Sequence, residues 1–91
     1  MSELKNHMEV VVRQALEDYL SKNKISCTCE LCQGDIMALA LNNLPPRYYA
    51  SSQGEILTKM KSQEATALVL VMGEITRAAQ LISASPSHPI G

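Results

Sequence analysis

Apolar residues recur at three- and four-residue intervals in three blocks of this chain, and each block predicts a helix. In the first, Leu4, Met8, Val11, Val12, Ala15, Leu16, Tyr19 and Leu20 fall on one face, which predicts a helix over about residues 3–23. Ser2 is placed to cap its start, and Lys22 and Lys24 suit the negative end of its dipole. Val10 and Arg13 lie off the stripe and offer a second contact face. The second block is shorter. Asp35 opens a helix over about residues 35–43, with Ile36, Leu39, Ala40 and Leu44 on one side. Pro45 ends it by steering Leu44 out of the helical region. Residues 45–54, Pro-Pro-Arg-Tyr-Tyr-Ala-Ser-Ser-Gln-Gly, read as an irregular loop. The two prolines launch it stiffly, and Ser51, Ser52 and Gly54 loosen its second half.

The third block predicts one long helix over about residues 55–83. Leu57, Met60, Ala67, Leu68, Val71, Ile75, Ala78 and Ile82 share a stripe, and the stretch Ala65 to Met72 is apolar nearly all round. Such a helix is roughly 40 Å long, whereas a compact chain of this size has a radius of gyration of about 12 Å. It overruns its own domain, and its apolar centre needs more cover than two shorter helices supply. A second copy of the chain is the economical source. Leu68, Val71 and Ile75 are therefore expected at a homodimer interface, with Gly73 letting backbones approach there. Residues 84–91, Ala-Ser-Pro-Ser-His-Pro-Ile-Gly, form a tail. The pattern as a whole predicts a single all-α domain over residues 1–91. It has three helices, a loop between the first two, and a long C-terminal helix.

Composition narrows this picture. Ninety-one residues suffice for one domain with a modest core. There is no Trp or Phe and there are three Tyr, so the core must be built from aliphatic side chains. Eight basic residues against nine acidic ones leave no electrostatic footprint for direct nucleic-acid binding. The polar opening from Ser2 to His7 is not followed by the apolar core of a signal peptide, and the uncharged run Ala65 to Gly73 is short for a bilayer. The expectation is a cytoplasmic protein without a membrane partner.

The chemistry is concentrated between the first two helices. Cys27, Cys29 and Cys32 are the only cysteines, in Cys-x-Cys-x2-Cys spacing. Thr28, Glu30 and Gln33 lie among and just after them, which suits a polar cup better than an apolar core. Thiols so close together in a chain with an odd cysteine count favour metal ligation over a disulfide. Zinc takes thiolate and imidazole ligands tetrahedrally, and closed structural sites use four. Cys32 is expected just before a helix N-terminus, where backbone N–H groups favour a thiolate. The fourth ligand has two histidine candidates, His7 and His88. His7 lies roughly 30 Å back along the first helix, so distance favours His88, with Asp35, a neighbouring carboxylate or a water as the fallback.

The stretch from Cys27 to Tyr48, Cys-Thr-Cys-Glu-Leu-Cys-Gln-Gly-Asp-Ile-Met-Ala-Leu-Ala-Leu-Asn-Asn-Leu-Pro-Pro-Arg-Tyr, resembles the central segment of the late-competence ComFB family. The resemblance extends from about Met8 to His88 and implies a ComFB-like domain. In that family a cysteine near the tail position joins the other three as a metal ligand. This chain offers His88 there, which implies a site of Cys27, Cys29, Cys32 and His88.

No catalytic arrangement is present: there is no Ser-His-Asp set, glycine-rich phosphate cradle or His-Glu-x2-His. Cys29 and Cys32 have redox-motif spacing without the βαβ context. The resemblance implies a non-enzymatic, zinc-binding homodimeric accessory protein of late competence, the bacterial uptake of DNA, with other competence proteins as partners. It also implies an alternative, since relatives of ComFB are thought to bind the cyclic dinucleotide c-di-GMP. Arg47 and Tyr48, with Tyr49 as an alternative and Arg13 contributed across a dimer, carry groups that pair with guanine or phosphate and stack on bases.

Overall fold

Residues 3–85 are described by a computed structural model. The chain opens with a two-residue strand, β1 (Lys5–Asn6), ahead of the first helix, α1 (Met8–Lys22). α1 therefore starts later than its apolar stripe alone suggests. Asn6 explains the delay. Its side-chain Oδ1 accepts the Met8 N–H at 3.2 Å and the Arg47 N–H at 2.8 Å, capping α1 and fastening it to a distant segment. Removing this acceptor leaves two backbone donors without it. Asn6→Ala is expected to lower stability by about 1–2 kcal/mol, read as a drop in urea midpoint at unchanged m-value.

The second helix, α2, spans Glu30–Asn42 and stops where the double proline predicts. Leu44 is buried just beyond it. Within the anticipated loop, Tyr48–Tyr49 form β2, which pairs antiparallel with β1 in the register Lys5↔Tyr49 and Asn6↔Tyr48. A ladder two residues long has too little alternation to announce itself in sequence. Ser51 then ends the loop early. Its Oγ accepts the Gly54 N–H at 3.1 Å and caps a further helix, α3 (Ser52–Ser62). Gly54 is constrained there, since a Cβ would lie 3.3 Å from Ser51 Oγ and 3.4 Å from Tyr49 Cβ.

The expected single long helix is two. The chain turns at Gln63 and Glu64, where the Glu64 backbone is extended (ψ 143°), and restarts as α4 (Ala65–Ala84). Among the described residues there are thus four helices, not three, and the mostly helical domain also carries a small two-stranded sheet. An unbroken helix from Ser52 to Ala84 would be about 50 Å long, against about 22 Å for α1 and 20 Å for α2. The break folds α3 back toward β2 and the start of α4.

The core lies where α1, α2 and α4 meet. Met8, Val12 and Leu16 of α1 pack with Ile36 and Ala40 of α2, with Leu44, and with Val71, Ile75, Ala78 and Ala79 of α4. It is aliphatic, as composition requires. Val71 and Ile75, expected at an interface between copies, are instead interior residues of the single chain. They continue the α4 stripe that faces α1 and α2. Leu68 remains exposed, as do Val69, Leu70 and Met72 around it. Gly73 faces open space, with nothing within 4 Å of where a Cβ would stand.

By length and composition α4 is the one described helix that could cross a membrane. Its uncharged run is short, yet the full 20 residues, including Glu74 and Arg77, are apolar enough. Val71, Ile75, Ala78 and Ala79 are buried in the core, but only 22% of the helix's most apolar window is buried in all.

Candidate metal centre

Cys29 begins the site. It is the N-cap of α2, with extended backbone (φ −66°, ψ 164°), and its Sγ accepts the Cys32 N–H at 3.5 Å. A sulfur here does what a serine or aspartate oxygen does at most helix starts. Two residues earlier, Cys27 Sγ accepts the Cys29 N–H, also at 3.5 Å. Cys32 therefore sits inside the first turn of α2, not before it, and the helix starts at Glu30, not at Asp35. Gln33 closes the outside of the turn through its side-chain N–H to the Thr28 carbonyl, while its backbone N–H reaches the Cys29 carbonyl at 3.0 Å. The cup and the helix start are one piece of backbone.

This geometry brings the three sulfurs within 4.8 Å of one another. Tetrahedral ligation at a Zn–S distance of about 2.3 Å sets sulfurs roughly 3.8 Å apart, so a small contraction completes three corners. The N–H donors stabilise negative sulfur. The Cys27 thiol is held below its ordinary pKa chiefly by the Cys29 N–H, then by hydrogen bonding with the Cys29 side chain; burial opposes this. Cys32 is buried, whereas Cys27 and Cys29 are half-buried. The donor set is soft, close and preorganised, and it can hold a metal ion.

A second tie reaches this cup from the far end of the chain. Ser26, next to Cys27, donates its N–H to Ser83 Oγ at 3.0 Å and its hydroxyl to the Ser83 carbonyl at 2.7 Å. The last turn of α4 is thereby held beside the first cysteine. Nothing in the sequence pattern announces this pair of serines, which are separated by 57 positions. The predicted ligand His88 lies outside the described residues.

The other predicted residues are dispersed. His7 is at the opposite end of α1, nine-tenths buried, with its ring edge-on to Tyr49 at 6.2 Å between centroids. A helix of about 22 Å separates it from the cup, so it is no ligand to these cysteines within one chain. Arg47 is half-buried, and its backbone is engaged by Asn6 and by the His7 N–H. Tyr48 beside it is exposed, and Arg13 lies on an exposed part of α1. The groove beside α1 and α3, lined by Val10, Val11, Ile56 and Leu68 among others, includes none of these three. Tyr49 is tied to α3, where hydrogen bonding to the Glu55 carboxylate, then burial, raise its hydroxyl pKa.

A three-thiol cup built into a helix start, on a small aliphatic helical core, defines a helical domain with a candidate metal centre. Residues 5–86 match the family described as late competence development protein ComFB, and the chain belongs to that family. The competence protein ComFB of Bacillus subtilis (strain 168) is 33% identical over 90 residues, covering 92% of this chain and 86% of that protein. The solved structure of the late competence protein ComFB from Bacillus subtilis superposes with a TM-score of 0.82 at 29% identity, covering 93% of each chain.

Proposed function

We propose that this protein is a non-enzymatic, zinc-binding, homodimeric accessory component of late competence acting in the cytoplasm, with other competence proteins as its partners. The observation that carries the metal reading is the convergence of three sulfurs on one helix start, with backbone N–H groups already directed at two of them. Soft thiolates in a tetrahedral cup suit zinc, and a fourth protein ligand would close the site and leave no position for a reactive water. His88 is the proposed fourth ligand. Ser83 is fastened to Ser26, and the five further residues to His88 can span about 17 Å when extended. That is ample reach to the adjacent cup.

The dimer reading rests on apolar surface. Leu57 and Met60 of α3 and Leu68, Val69 and Leu70 of α4 are all exposed, and so many large apolar side chains left to solvent on two successive helices favour an interaction surface. A symmetric pair would cover it with the same patch of a second copy. The alternative of c-di-GMP recognition has in its favour the exposed Tyr48 beside Arg47.

Elemental analysis of untagged protein tests the first part: one zinc per chain is expected, and metal-free protein would overturn it. His88→Ala is expected to hasten zinc loss to a chelator about tenfold or more, with His7→Ala unchanged. Equal release from His88→Ala and wild type would remove the tail from the site.

A further inference from the structure

Two of the three cysteines stand in an arrangement that ligation alone does not require. Cys29 is the N-cap of α2 and half-buried, while Cys32, three residues on in the first turn, is fully buried. The Cys29 sulfur already lies over that turn, where it accepts the Cys32 N–H at 3.5 Å, and the two sulfurs are within 4.8 Å of each other. Residues three apart on a helix are neighbours. A dithiol that opens a helix, with one sulfur reachable and the next sheltered, is placed for thiol–disulfide exchange. The βαβ unit usual around such a pair is absent among the described residues, but exchange depends on the local turn. Both sulfurs also belong to the cup, so a bond between them removes two of its three corners.

We infer that Cys29 and Cys32 are a redox pair: a small-molecule disulfide converts them to a Cys29–Cys32 disulfide, and the cup then releases its metal. Cys29, more accessible than Cys32, attacks one sulfur of the incoming disulfide. That S–S bond breaks, one thiolate leaves, and a mixed disulfide forms on Cys29. Cys32 then attacks the Cys29 sulfur and expels the second thiolate. The protein pair is oxidised by two electrons and the small disulfide is reduced to two thiols. Their protons come from the two cysteines, or from solvent where the metal departs as its hydrated dication. Cys27 is the odd thiol. A Cys27–Cys29 bridge would span a single residue and draw the Cys29 sulfur off the Cys32 N–H, whereas a Cys29–Cys32 bridge leaves it over the helix start. The sulfurs of a disulfide carry no charge, and metal ligation needs thiolates, so one remaining thiolate holds the ion far less well. Metal release rests on the zinc reading proposed above; the pairing of the two thiols does not.

The test treats the full-length protein, as purified and after supplementation with zinc, with oxidised glutathione. Wild type is expected to lose the mass of two hydrogens, and alkylation of the unfolded, oxidised protein should mark Cys27 alone. A chromogenic zinc indicator should register one ion released per bridge formed, and dithiothreitol should restore both the thiols and metal binding. Cys29→Ser should slow loss of the two hydrogens by about tenfold or more, whereas Cys27→Ser should still close the bridge. Should either variant fail to fold, the alkylation pattern of wild type decides the pairing without them. Wild type that takes up glutathione without closing a bridge, or in which alkylation marks Cys29 or Cys32, would overturn the inference. A bridged protein that keeps its zinc would overturn it as well. A protein that closes the Cys29–Cys32 bridge but holds no zinc beforehand would refute the proposed function while upholding the redox pair.

Discussion

If the cup holds zinc as proposed, Cys32→Ser is expected to lose the metal and lower the thermal midpoint by roughly 12–24 °C, making the variant as unstable as chelator-treated wild type. Cys32 is the pivot because it belongs to two structures at once. Its side chain, in the first turn of α2, is fully buried, and its sulfur is one corner of the cup. Serine keeps the shape but supplies a hard, weakly acidic oxygen in place of a thiolate. Structural zinc binding contributes about 10–16 kcal/mol in peptides that cannot fold without it. Here an aliphatic core already holds α1, α2 and α4 together, so the expected loss is a smaller share, about 3 kcal/mol. For a domain of this length each kcal/mol moves the midpoint by about 4–8 °C. Differential scanning calorimetry with and without chelator decides the matter. Wild type should fall on chelation, and Cys32→Ser should not respond. A wild-type midpoint indifferent to chelator would mean that the cup contributes nothing to the fold.

The same residue shows why the cup is legible in sequence while its setting is not. Three sulfurs in six positions announce, through composition and spacing alone, a cluster able to hold a metal ion. Asp35 looks like the start of α2 because cysteine is not among the residues usually expected to cap a helix, whereas Cys29 Sγ accepts the N–H three residues on. At the other end of α2, Pro45 acts through backbone sterics that no tertiary contact overrides, and the boundary falls where expected. The α3–α4 break lies between these cases. Ser62, Gln63 and Glu64 carry neither proline nor glycine, so periodicity runs through them unchecked. The chain turns there through the extended backbone of Glu64, which no local signal in the sequence marks. Asn6 and the Ser26–Ser83 pair are invisible for a simpler reason: each works through contacts between distant segments.

Aspartate at two neighbouring levels of α4 separates the core from the proposed interface. Ile75 is fully buried between α1 and α2. A carboxylate there has no partner, and an uncompensated buried charge costs about 3–5 kcal/mol, a large part of the total stability of a small domain. Ile75→Asp should lose most of its helical circular dichroism at room temperature. Leu68 and Val69 lie about two turns away, but are 46% and 71% exposed within the single chain. A charge at either position can hydrate, so the isolated chain should keep its helices. If the α3–α4 surface joins two copies, the double variant Leu68→Asp, Val69→Asp places four carboxylates in one apolar contact. Sedimentation at micromolar concentration should then show a folded monomer where the wild type is a dimer. A monomeric wild type would refute the interface outright. A double variant that remains dimeric would move the contact to another face, leaving Leu57, Met60 and their neighbours as surface without a second copy to cover it.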